Sequence, residues 1–135
     1  MAVFLQNGAV VTVNSVDISD WVSSVTLNRN YDELEITALG DAGHRYISGL
    51  ESSSITLEFF NDFATSASMA TIDPLVGTVT TVTVKPTSAA TSASNPLYTM
   101  SCLVNGITPL NGSVADLATS SVTWNVSGTI TKTTA

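Results

Sequence analysis

The chain has 135 residues, 44% hydrophobic and only 11% charged, with 11 acidic against 4 basic side chains and a formal net charge of −7. The apolar share is enough for a real core at this length, while the shortage of Lys and Arg argues against nucleic-acid backbones and anionic membranes as binding partners. A single cysteine, Cys102, leaves no internal disulfide and no thiolate metal cage.

The start, MAVFLQNGAVV, lacks a basic n-region and does not read as a secretory signal, so folding in a reducing cytosol is expected. Asn7-Gly8 accepts positive φ at both central turn positions, which predicts a hairpin of 2–6 with 9–14. VDISDWV (16–22) reads as a turn entering a strand, with Asp17 and Asp20 capping amides; EF-hand spacing is missing, and Trp21 is expected in the core. Strands are then predicted over 23–29 and 32–39, where apolar residues alternate with polar ones. In the second, Glu33 and Glu35 share a face opposite Leu34 and Ile36. The stretch LGDAGHRYISGLES (39–52) holds three glycines and the only histidine, and reads as a long inter-strand loop.

Alternation resumes over 53–60, with Ile55, Leu57 and Phe59 on one face. DFATSASMATIDPLVG (62–77) shifts to helical spacing and predicts one short helix at about 65–75, capped by Asp62 or Ser66, with Pro74 near its end and Gly77 stopping it. A strand over 78–85 follows, then a small polar surface loop or crossover at 87–96. Asn105-Gly106 predicts a hairpin of 97–104 with 107–110, and Val122, Trp124, Val126 and Ile130 predict a strand over 121–130. No apolar run approaches a membrane span. The fold expected for 1–135 is a single mainly-β domain, an antiparallel β-sandwich or partly closed barrel with one short flanking α-helix. Lys85 and Lys132 are the only lysines available to blunt its sheet edges, so pairing between copies is invited.

Catalytic patterns are weak. A Ser/His/Asp arrangement would need His44, and Gly-x-Ser-x-Gly is absent. Phosphate-cradling glycine motifs are also absent, and the tyrosines are scattered among mostly acidic or neutral neighbours, unlike those of a single-strand binder. No cofactor, metal or small-molecule substrate is indicated. What stands out is the cluster of Asp32, Glu33 and Glu35 on one strand: a solvated outer face, or an acid-lined, water-filled bore.

Residues 16–131 resemble the major tail protein, or tail tube protein, of long-tailed bacteriophages. The resemblance lies in VDISDWVSSVTLNRNYDELEITALGDAGHRYISGLESSSITLEFFNDF, DPLVGTVTTVTVKPTSAATSASNP and LVNGITPLNGSVADLATSSVTWNVSGTI, taken in that order. Its most specific part is GD-x-x-HRY-x-x-GL followed by SITLEFF-x-D. The resemblance implies a structural virion protein, made in the host bacterial cytoplasm. Its sixfold rings would stack into a hollow tube through which genomic DNA is ejected, with tape measure and tail tip or terminator proteins as partners. It also implies that Gly40, Asp41, Gly43, His44, Arg45, Tyr46 and Ile47 form a contact loop to a neighbouring subunit or ring. Glu33, Glu35 and Glu58 become candidate lumen-facing acids, which would repel the phosphates of passing DNA. A capsid decoration protein or a tail terminator or connector is the alternative. A carbohydrate-binding β-sandwich is a third class, for which exposed aromatics are scarce.

Overall fold

The computed structural model describes residues 8–134. Two antiparallel sheets face each other across one core. The first runs β10(Thr131–Thr133), β8(Leu97–Leu103), β7(Val79–Lys85), β1(Val10–Val13), β2(Val16–Asp17) in spatial order. The second runs β3(Val22–Asn28), β6(Ser54–Phe60), β9(Thr119–Asn125). A separate ribbon pairs β4(Tyr31–Glu35) with β5(Tyr46–Glu51). The sheets do not close into a barrel, so the architecture is the sandwich of the two expected forms.

Period-two patterning explains the core. Val11 and Val13, Val82 and Val84, and Met100 and Cys102 point inward from the first sheet. Ile55, Leu57, Phe59, Val122 and Trp124 meet them from the second. Trp124 is completely buried, as its place on the apolar face of its strand predicts. The opposite face of the second sheet is a field of hydroxyls and amides, in cross-strand rows such as Thr26–Thr56–Thr123 and Asn28–Ser54–Asn125. The Thr56 and Thr123 hydroxyls lie 3.1 Å apart.

The short helix is present as α1(Ser68–Ile72) continued by a 3-10 turn over Asp73–Leu75. Neither Asp62 nor Ser66 caps it by its side chain: the N-cap is Ala67, and no side-chain cap bond is made. The Asp62 carboxylate instead accepts from the Ala64 amide and from Trp21 Nε1, at 2.9 and 2.8 Å. Trp21 is thereby half-buried at the rim of the core.

Four expectations need correction. The strand predicted at 32–39 ends at Glu35, because Asp41 accepts from the Ala38 amide at 2.8 Å and curls the chain. The predicted loop 39–52 is a strand from Tyr46 to Glu51, paired with β4. The hairpin of 97–104 with 107–110 does not form. The Thr108 and Pro109 carbonyls accept from the Asn61 side chain, at 3.0 and 3.2 Å, and β8 pairs with β7 and β10. The strand at 121–130 is broken at Gly128, whose φ is +99°, and the chain changes sheets before β10. The 2–6 half of the predicted first hairpin lies outside the described residues. Beyond it, β1 turns into β2 through Asn14 and Ser15, both at positive φ, as a two-residue hairpin requires.

Candidate functional site

β3 passes into β4, and β5 into β6, so residues 22–60 are one long hairpin. Its inner half belongs to the sandwich. Its outer half, 31–51, is an arm in which every residue of β4 is exposed and none of β5 is buried. Seven large apolar side chains are exposed along it: Tyr31, Leu34, Ile36, Leu39, Tyr46, Ile47 and Leu50. Such a strip in water lacks the burial that normally holds a two-stranded ribbon together.

Register sorts the arm into two faces. From 46 to 60 the even-numbered residues point outward, while Ser53, Ile55, Leu57 and Phe59 are buried against the core. Glu33 sits opposite Ser48 and Glu35 opposite Tyr46, so both acids share the outward face that carries Glu58. The three candidate acids thus lie on one continuous face. Leu34 pairs with Ile47 on the other face, which continues the core side of the sandwich beyond the reach of its partner sheet.

The polar residues of the loop bind one another. His44 Nδ1 lies 2.7 Å from Glu35 Oε2, which also accepts from Thr37 Oγ1 at 2.8 Å. These two bonds hold the Glu35 carboxyl below the ordinary carboxylate range, the His44 contact first. The Arg45 amide donates to Thr37 Oγ1 at 3.0 Å, and Arg45 Nη1 stands 3.6 Å from Asp41 Oδ2. Exposed pairs of this kind contribute little stability, but they fix the shape of the tip. Gly40 takes φ +96° at the tip and Gly43 has open space around it. Gly49 differs: a Cβ there would come within 3.1 Å of Asp32 Cβ, so the arm's strands close tightly at this point.

Two features escaped the sequence reading. Glu51 stands at the root of the arm with the parity of a core residue. Its Oε2 accepts from Ser53 Oγ at 2.8 Å and from the Ile130 amide at 3.2 Å. The Ser53 bond, then Ile130, Tyr31 and the Arg29 charge, favour the carboxylate and keep its pKa low against partial desolvation. Counting parity back from Ile55 would have flagged this acid. The second feature is the loop at 104–118, where Leu110, Val114 and Leu117 are exposed; the Asn-Gly turn signals there concealed it. Among the described residues no group of three His, Cys, Asp or Glu side chains could hold a metal ion, and no helix is long and apolar enough to cross a membrane.

No protein-family model matches the chain, and no curated protein does. Solved structures do match. A chain from the virion of a native gene transfer agent particle has a TM-score of 0.78 at 13% identity, covering 97% of this chain and 99% of that one. A chain of an extracellular contractile injection system, from its PVC sheath/tube terminator in the extended state, has a TM-score of 0.70 at 17% identity, with 98% and 97% covered. One from the sheath-tube complex of such a system has a TM-score of 0.69 at 14% identity, with 98% and 93% covered. At these identities the likeness is one of fold: over nearly its whole length this chain folds as chains of a virion and of injection-system assemblies do.

Proposed function

We propose that this protein is a structural tail subunit whose copies assemble into the hollow tube of a phage-type particle, with no catalytic role. The observation that carries the reading is the arm: a ribbon with no buried residue of its own and an apolar strip that water alone leaves uncovered. A neighbouring copy supplies the missing cover. The outer strands of the three-stranded sheet, VSSVTLN and TSSVTWN, carry no charge that would discourage joining between copies. Likeness in fold to chains of a virion and of sheath–tube assemblies supports the same reading.

In this reading rings, sixfold by the resemblance, stack into the tube. The residues Gly40 to Ile47 form the contact tip, and Ile47, on the face opposite the acids, is covered by a neighbour. Glu33, Glu35 and Glu58 face the lumen with the hydroxyl field, so DNA meets like charge and exchangeable hydrogen bonds and passes without adhering. Tape measure and tail tip proteins are the further partners, and the virion is its location.

Electron microscopy of the concentrated protein tests this. Wild type should give long tubes with a stain-filled bore. Leu34→Ser with Ile47→Ser should give monomers whose unfolding midpoint is unchanged, because both side chains are exposed in the monomer. Tubes formed equally well by the double variant would remove the arm from assembly. Single closed rings that never lengthen, even with tail tips as seeds, would select a terminator, the role named in one structural neighbour.

A further inference from the structure

We infer that the loop of residues 104–118 is the receiving surface for the arm of another copy, so that copies join head to tail. The inference rests on the assembly reading above and names its second surface. Three observations carry it.

The first is placement. The arm leaves β6 at Ser54, whereas this loop enters β9 at Thr119, which pairs with Phe60 at the other end of β6. Arm and loop are therefore at opposite ends of a strand about 20 Å long. A contact between them is heterologous and does not close after two copies.

The second is preorganisation. Leu110, Val114 and Leu117 are 90%, 98% and 74% exposed, yet the loop bearing them is pinned. Ser120 Oγ donates to Asn61 Oδ1 at 2.7 Å and accepts from Thr108 Oγ1 at 3.0 Å. Asn111 Nδ2 donates to the Thr119 carbonyl at 2.9 Å, and Ser113 Oγ to Asp116 Oδ2 at 2.7 Å. Holding aliphatic side chains out on a fixed loop lowers the ordering cost of a contact. The arm offers a matching aliphatic in Leu39, at 104% exposure.

The third is charge. All four Lys and Arg side chains lie at the arm end. Arg45 is on the arm. The other three gather around Tyr98: Arg29 over its ring at 5.9 Å, Lys132 paired with it, and Lys85 following Val84, which pairs with it. The loop end carries Asp20, Asp62, Asp73 and Asp116 with no base. Loop against loop would set acids only against acids; the arm end carries Asp32, Glu33, Glu35, Asp41 and Glu51 beside its four bases, so what the arm–loop contact gains is the local pairing of those bases with the loop-end acids.

The test is cross-linking of the full chain. Leu39→Cys and Val114→Cys are made separately and together. Native Cys102 is buried, its thiol pushed up to about 12 by desolvation, so it stays silent. On oxidation of concentrated protein, the two single variants mixed should give a linked dimer that neither gives alone. The double variant should give a ladder of covalent multimers, which, with each single variant unlinked on its own, only a head-to-tail contact allows. Dimers of Val114→Cys alone, or tubes without any cross-link, would overturn this surface and leave the assembly reading intact. Absence of both tubes and cross-links would overturn the two together. As a check on folding, Leu110→Ser with Val114→Ser should abolish tubes at an unchanged unfolding midpoint; tubes that persist would sink the proposal.

Discussion

Single side chains decide where this sandwich ends and its arm begins. Glu51 is the clearest case, a carboxylate at a core-parity position held by Ser53 and the Ile130 amide. Its folded pKa lies below the ordinary 4.5, so its contribution to stability is present above that value and is lost as pH falls through the folded one. Glu51→Gln should therefore lower the thermal midpoint at pH 7, and the gap to wild type should narrow below about pH 4. A gap of constant size down to pH 3 would show that the acid acts by shape and not by charge. Asn95 works similarly without charge: its amide spans the 87–96 loop, donating to the Ala89 carbonyl at 2.8 Å and accepting from the Thr87 amide at 3.1 Å. Asn95 belongs to no periodic run, so the sequence marks 87–96 only as a polar loop; Glu51 shows its core parity only when the alternation of 53–60 is counted back through it.

At the scale of elements, legibility followed burial. β3, β6 and β7 alternate because one face of each meets the core, and each is readable within a residue of its ends; β9 alternates too, but the reading carries it to 130 where the strand stops at Asn125. β5 meets no core. Its sequence, YISGLE, carries exposed apolar residues on both faces and a glycine inside, so the period-two signal vanishes although the backbone pairs. Asn105-Gly106 misled for the opposite reason: the turn chemistry is right, but Asn61 takes the carbonyls a returning strand would need. The glycine in β5 has a structural use, since Gly49 lets Asp32 and Leu34 close over it. Gly49→Val should loosen the arm alone. Hydrogen exchange should quicken at the paired amides of 33–35 and 46–48, while exchange in β6 and the global unfolding midpoint stay as in wild type. Slowed or unchanged exchange in the arm would mean the crowding is absorbed, and that the close approach there is incidental.

For the molecule as a whole, net charge and charge placement act against each other, and ionic strength separates them. Each copy carries −7, so copies repel at long range. The end-to-end contact sets the arm-end bases, which stand among Asp32, Glu33, Glu35, Asp41 and Glu51, against Asp20, Asp62, Asp73 and Asp116 at short range. Screening lengths run from about 30 Å at 0.01 M salt to about 10 Å at 0.1 M and about 3 Å at 1 M. The first step removes repulsion between whole subunits and leaves contact pairs largely untouched; the second reaches the pairs themselves. The critical concentration for tube growth should accordingly fall from 0.01 to about 0.1 M NaCl and rise again toward 1 M. Light scattering across that range reads both limbs. A steady fall to 1 M would leave Leu39, Leu110 and Val114 to hold the contact by apolar burial alone. A steady rise from the lowest salt would instead mean that opposed charges outweigh the net repulsion at every distance.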